Sequence, residues 1–551
     1  MDIPADAVDR DQFYQEVIAK CTHSQEERRM DYAQHRHFFL FGRGVDEDET
    51  PYNKIFPHID MLTSFLFASE TTRFSTHIGP HVSEHEFLRI PSINKAVNDA
   101  WLMSNADQAF GQGLAWSLVY NTMIFKIIVR ASDKGLNGIE PFVVDPGSFG
   151  VLREDVPFLD RQEAMVHTYF ITKSQLEIDL ESHPKKDDIL KTVEGFPRSD
   201  TEQRPSGVER IILSASSPTM IGNAEVPLNA QTTYLPDVAE DLIEMQELWL
   251  WDTKEGDYRV VTRAENSVTI YDRMNFFLKG EIPFVQICPS PMYSYFWGMS
   301  EVAGLEGLQR WRNTRVLQMK QLLDRNVDPP TALTGWMGLV DEKNFALNKA
   351  GGVLVNEGMQ AKAEKFKPDI PQDIFAVIHE IDAMFAERSG LQNIMMGKGE
   401  AGVRSGRQTQ ELARLASARI KKRALVVEDA LEKIATLYLK VMQKHDTNDL
   451  KDAKGLPFIP EQFTNDFVVK VDSHSNSPLF VEDHKQMAAD LFEAHAIDRE
   501  SLIEMNDPPM KDLLLRKLKL IEAKEEEMRK QEQMMQAQGG NLPKPLQAVK
   551  K

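Results

Sequence analysis

Between Asn393 and Ala424 the chain carries eight Lys or Arg residues against two Glu, in a sequence that is otherwise acidic. Three of the cations, Lys398, Arg404 and Arg407, stand in the glycine-punctuated stretch GKGEAGVRSGR. Cations on such a stretch touch no apolar stripe. The chemistry open to them is pairing with anionic groups, because ammonium and guanidinium groups carry fixed charge and donate hydrogen bonds without forming or breaking bonds. A nucleotide-cradling loop is the sharper alternative, and it fails on spacing. Gly397 and Gly402 lie five apart, but Val403 stands where the phosphate-loop pattern needs Lys, no Ser or Thr follows it, and the preceding segment reads as helix.

Other chemistry finds less support. His77, His81 and His85 recur at four-residue steps, which on a helix would make a metal face, but Gly79 and Pro80 interrupt that helix and leave polar loop histidines. His35 and His37 sit in a helical pattern and read as surface or interface residues. Asp46 to Glu49 are adjacent carboxylates, the usual mark of a solvated loop. Neither GxSxG nor HExxH occurs. The two cysteines, Cys21 and Cys288, have no zinc or redox spacing and define no disulfide framework. The sequence therefore predicts no enzyme, no catalytic residue, no metal site and no cofactor. The competing class is an enzyme acting on nucleic acid or nucleotide, which would need convergent acids or a phosphate loop.

The whole chain sets the terms for those cations. With 64 Lys and Arg against 84 Asp and Glu, the formal charge of 551 residues is −20. An acidic body argues against a tight grip on DNA and leaves room for handling DNA without gripping it. The acidic, polar first thirty residues contain no secretory pattern, and the richest apolar runs, MLTSFLFA and SLVYNTMIFKIIV, fall short of a membrane span. The length predicts several domains.

The elements that would position the loop follow from periodicity. A helical pattern runs from Arg10 to about Phe39, stops at GRGVDEDETPYN, and resumes through IFPHIDMLTSFLFA and from Ser92 to Val129. Strands are expected after Asp133, with ELWLWDTKEGDYRVVTRAENSVTIYDRM as a β-meander turning at Asp252 to Gly256, and Lys185 to Pro236 as a loop with a short strand at RIILSAS. A helix then covers Glu301 to Arg325, ended by Pro329 and Pro330. A small β-containing insertion spans Thr331 to Lys367. Pro371 opens a second helix striped by Ile374, Val377, Ile378, Ile381 and Phe385. Ser405 and Gln408 have the form of a capping box, so a third helix starts there and reaches about His445, on the order of 60 Å at about 1.5 Å per residue. FVVKVDSHS reads as a late strand, and helical segments and a charged, Gln- and Met-rich tail close the chain.

This order of pieces resembles the portal, or head-to-tail connector, proteins of tailed bacteriophages. Two stretches carry the likeness: YFWGMSEVAGLEGLQRWRNTRVLQMKQLLDRNVDPP, with its aromatic-Gly-Met-Ser start, Leu-Gln and Arg-Asn positions and closing prolines, and SGRQTQELARLASARIKKRALVVEDALEKI. The resemblance implies an α+β, mostly helical fold with long helices around a central channel. By position it implies a wing at 1–297, a first stem helix at 298–330, a clip at 331–370, a second stem helix at 371–392 and a tunnel loop at 393–405. A long wing helix and return strand would follow at 406–479, then a crown and tail at 480–551. It further implies a structural portal protein of the virion, assembled in the host cytoplasm as a homo-oligomeric ring of twelve at the capsid portal vertex. Its implied partners are the terminase packaging motor, tail adaptor proteins, capsid and scaffolding proteins and double-stranded DNA in the channel, with no membrane. Lys398, Arg404 and Arg407 would then recur around the channel, while Lys421 to Arg423, further along the helix, could equally pair with carboxylates of neighbouring subunits.

Overall fold

The computed structural model describes residues 1–44, 52–67, 74–78, 90–132, 135–193, 218–221, 224–227, 242–334, 353–356, 362–365, 373–389, 418–445, 467–471 and 487–506, apart from positions 2, 5, 182, 266 and 267, together with scattered positions between 514 and 528. Two compact units divide the chain, Met1–Asn476 and Ser477–Lys551.

In the first unit, helix α1 (Ala7–Thr22) is capped by Asp6, whose carboxylate accepts from the Val8 N–H at 2.9 Å. Helix α2 (Gln25–Phe41) follows at once. The single helix expected over residues 10–39 is thus broken near Ser24, and tertiary bonds explain the break. Ser24 donates to Glu154, and Arg28, four residues on, sends its guanidinium inward to the carbonyls of Pro146 at 2.8 Å and Phe149 at 3.2 Å. Helix α3 is Ile55–Leu66, strand β1 Phe74–Ile78, α4 Ile90–Met103 and α5 Ala106–Tyr120. Helix then gives way to strand β2 (Met123–Ser132), earlier than the expectation of helix to Val129. The β-branched run of MIFKIIV suits a sheet, and β2 pairs on both sides, with β3 (Gly135–Val144) and the distant β11 (Phe284–Ile287).

Strands β4 (Phe149–Val151) and β5 (Ala164–Thr172) lead to helices α6 (Lys173–Asp179) and α7 (Lys186–Thr192), then to the small hairpin of β6 (Pro218–Ile221) and β7 (Ala224–Pro227). The expectation of a loop with a short strand from Lys185 to Pro236 is corrected by that helix and hairpin, while the RIILSAS segment lies outside the described residues. The meander is β8 (Leu242–Asp252), β9 (Asp257–Ala264) and β10 (Val268–Met274), turning where Asp252 faces Asp257. It joins a five-stranded sheet in the order β10-β9-β8-β5-β4, beside the three-stranded sheet β11-β2-β3.

Phe284 of β11 links the two sheets, with its ring 5.9 Å from that of Trp249 and 6.2 Å from that of His167. Lys126 of β2 reaches across to Glu247 of β8 at 2.6 Å, and Glu247 also accepts from the Trp249 indole at 2.7 Å. Helix α1 covers another part of the meander, packing Tyr14, Val17, Ile18 and Cys21 on Val166, Leu248 and Val261. Both cysteines are free and buried, and burial pushes the Cys21 thiol up to about 12.

Helix α8 (Glu301–Val327), strands β12 (Thr331–Thr334), β13 (Val353–Asn356) and β14 (Lys362–Lys365), helix α9 (Asp373–Ser389), helix α10 (Ala418–His445) and strand β15 (Phe467–Val471) complete the unit. Helix α10 is a core element, with Ile420, Val427, Leu431, Ile434, Tyr438 and Met442 all buried. It packs among α3, α4 and β15, and Tyr438 lies 6.2 Å from Trp101. Strand β15 pairs antiparallel with β1, placing His77 opposite Val468. His77 is therefore a strand residue, not the loop residue expected, while His81 and His85 lie outside the described residues. His35 and His37 are half-buried rather than superficial. Burial pushes the His35 ring below its ordinary pKa, and the His37 Nδ1 lies 2.9 Å from the Arg43 carbonyl. In the second unit, helix α11 is Arg499–Asn506. Among the described residues no helix is long and apolar enough to cross a membrane.

Candidate functional site at the helical hairpin

The chain reaches α8 through a buried aromatic turn. Trp297 donates from its indole to Glu154 at 2.8 Å, the Arg28 guanidinium lies 3.7 Å over its ring, and its carbonyl accepts from the Thr122 hydroxyl at 2.9 Å. Gly298 follows at φ +66, where an added β-carbon would stand 2.3 Å from the Cys288 sulfur. Ser300 then caps the helix, accepting from the Ala303 N–H at 3.2 Å while its hydroxyl donates to the Val119 carbonyl at 2.7 Å. The aromatic-Gly-Met-Ser sequence is thus a rigid joint between body and helix.

More than two turns further, α8 is clamped by amides. Gln309 donates to the Tyr52 carbonyl at 3.1 Å and to Asn313 at 2.7 Å, and accepts from the Lys54 N–H at 3.1 Å. Asn313 donates to the Gly42 carbonyl at 2.8 Å. Both side chains are buried. They satisfy backbone groups of the α2–α3 connection that would otherwise lack partners in the interior. The Leu-Gln and Arg-Asn positions are therefore the attachment of α8 to the body.

Helix α9 returns antiparallel along α8. Arg312 donates to Asp382 at 3.0 Å, Asp382 also meets Lys54 at 3.1 Å, and the Arg388 guanidinium crosses Gly304 so closely that a β-carbon there would stand 2.7 Å from it. Near the other end, Leu322 and Arg325 share a groove with Asp373 and Ile374. Between these helices the chain forms a three-stranded sheet with β12 in the centre, parallel to β13 and antiparallel to β14.

Burial stops partway up the hairpin. The buried residues of α8 are Glu301, Val302, Leu305, Gln309 and Asn313, so its second half, about 20 Å at 1.5 Å per residue, runs beyond the body's core. On α9 only Ile381 and Phe385 of the expected stripe are fully buried, while Ile374, Val377 and Ile378 are half-covered. Trp311, Leu323, Val327 and Phe375 are exposed, Val327 at 86%.

Lys398, Arg404 and Arg407 lie outside the described residues, as do Ser405 and Gln408. The structure does place their flanks. Before the segment, Arg388 lies over Gly304; after it, Arg423 of α10 pairs with Glu301, which also accepts from the Ser290 hydroxyl at 3.0 Å. Both flanks therefore meet the first turn of α8. Lys421 and Lys422 are exposed, whereas Arg423 pairs through one nitrogen with Glu301 of its own chain, and its Nη1 is buried with no hydrogen-bond partner among the described residues. The nearby His58 is held down to about 4 by burial and by the Arg423 charge. Sequence reasoning missed Glu301, Gln309 and Asp382. Two amides four apart on one helix were the available signal for Gln309 and Asn313.

A body of mixed sheets and helices, a projecting two-helix hairpin tipped by a small sheet, and a long core helix beginning at the hairpin's base together define a portal protein. The family model described as phage SU10 portal protein matches residues 99–474, more than half of the chain, and the chain belongs to that family. It is a structural portal protein of a phage-type virion. Among solved structures, a chain of the structure titled "Virion of native gene transfer agent (GTA) particle" covers 86% of this chain and 99% of its own length, at 11% identity and a TM-score of 0.36, a likeness too loose to bear on function. No curated protein matches the sequence.

Proposed function

We propose that the chain closes into a ring of twelve copies at the capsid portal vertex, where it is the conduit for DNA packaging and ejection and the platform for the terminase motor and tail adaptors. The observation that carries this reading is the hairpin. Two helices without a third layer leave Trp311, Leu323, Val327 and Phe375 facing water, and copies of the chain around an axis would cover them. In this reading residues 1–297 are the wing, 298–330 and 371–392 the stem, 331–370 the clip that receives adaptors, and 480–551 the crown. The tunnel loop at 393–405 carries Lys398, Arg404 and Arg407 toward the channel. Its support is the convergence of both flanks on the first turn of α8. An acidic chain with few cations on the DNA path favours passage over retention. Negative-stain electron microscopy of the purified protein tests the proposal: rings with a central hole are expected, and a uniformly monomeric preparation across salt and concentration would overturn it.

A further inference from the structure

His167 of β5 is a titratable side chain sealed between the two sheets. It is 4% exposed, and neither ring nitrogen has a hydrogen-bond partner among the described residues. A neutral imidazole carries one N–H donor and one acceptor nitrogen, so both are held there uncompensated. Its nearest rings are Phe149, opposite it in register on β4, Tyr169 of its own strand at 5.3 Å, and Phe284 of β11 at 6.2 Å. Among the described residues two charges act on it, the Lys126 ammonium from β2 and the Glu247 carboxylate from β8, which faces it in the ladder. These two already pair at 2.6 Å, and the other Glu247 oxygen accepts from the Trp249 indole. Both oxygens of the one nearby carboxylate are therefore engaged.

We propose that this arrangement is an acid-operated release, in which proton uptake by His167 lifts strand β11 and draws the Phe284 ring out from between Trp249 and His167. In the closed form a proton on His167 sets a second cation beside Lys126, with one carboxylate to serve both in an interior that excludes water. In the open form the imidazole meets water and takes its proton at the ordinary value. Acid therefore favours the open form. Strand β11 is the element that gives way because it has four residues and lies at the edge of its sheet, paired with β2 alone, whereas β5 is flanked by β4 and β8. Phe284 is its anchor, 5.1 Å from Phe149 and 5.9 Å from Trp249, with the Lys126 ammonium 5.5 Å from its ring. A cleft of about 260 Å³ lined by Leu159, Phe284, Gln286, Thr436 and Leu437 leaves the strand room to move.

The test is amide hydrogen exchange on the full chain, followed by mass spectrometry and corrected for the pH dependence of the intrinsic rate. The closed form holds His167 down to about 3. With the open form at its ordinary value near 6.5, opening of residues 284–287 should increase about thirtyfold between pH 7.5 and 5.0. Residues 431–442 of α10, deep in the core, supply the reference and should respond far less. In His167→Leu the opening of β11 should vary by no more than about twofold over the same range, whatever its absolute level, since the titrating group is gone. His167→Gln gives the same comparison with a polar side chain that takes no proton. A native β11 indifferent to pH, or a pH response kept in both variants, would overturn the release. An increase in α10 equal to that in β11 would overturn it as well, with global acid unfolding in its place.

Discussion

Asn313 and Gln309 are polar residues whose importance lies in the backbone they satisfy. Replacing Asn313 by Leu leaves the Gly42 carbonyl and one Gln309 donor buried without partners, at a cost of about 1–3 kcal/mol. A lowered thermal midpoint with unchanged far-ultraviolet circular dichroism is the expected reading. His167 makes a second prediction. It is buried between the sheets, where burial first and the Lys126 charge second hold its pKa down to about 3. The unfolded chain's imidazole takes up its proton near pH 6.5, so stability is complete above that value and lost as pH falls toward 3, by about 1.4 kcal/mol per unit. His58, held at about 4, adds to the same loss. Melting curves at pH 7.5 and 5.5 should shift less for His167→Leu than for the native chain; equal shifts would remove His167 from the account. The loop cations supply a third prediction. Changing Lys398, Arg404 and Arg407 together to Ala should leave rings and procapsids intact while lowering packaged or retained DNA, measured as DNA per particle at matched particle number. The sequence showed these cations as types and spacings. It could not show Glu301 with Arg423 or Arg312 with Asp382, because those pairs join residues far apart in the chain.

Elements were legible where the pattern is local. The α8 start, its end before the double proline, the α9 stripe and the meander turn all follow from caps, prolines and periodicity. Errors arose where a tertiary partner decides. Residues 10–39 divide into two helices because Arg28 reaches the carbonyls of Pro146 and Phe149, and MIFKIIV becomes a strand because β3 and β11 are there to flank it. Gly304 tests the hairpin at this scale. Gly304→Leu must displace the Arg388 guanidinium, so α8 and α9 should part at their base, and amide exchange at residues 381–388 should quicken relative to that of α10. The three strands at the hairpin's far end are bounded by the buried prolines Pro329 and Pro330 on one side and by α9 on the other. Replacing residues 331–367 with a short Gly/Ser linker should leave ring formation possible and abolish adaptor binding in a pull-down. Retained binding would place the adaptor surface elsewhere.

At the scale of the molecule, the order of helix, small sheet, returning helix, basic loop and long helix was the informative feature, more than any motif. That order is readable in one dimension because each part has its own composition, while the closeness of the loop's two flanks is a three-dimensional fact. A two-helix hairpin also has a mechanical character. Considered as a beam, it resists bending in the plane that holds both helix axes, since material there lies far from the neutral line, and it yields readily across that plane, where it is only one helix thick. With the amide clamp at Gln309 and Asn313 as its fixed end, the free end bearing the small sheet sways preferentially sideways, like a reed set in a solid block.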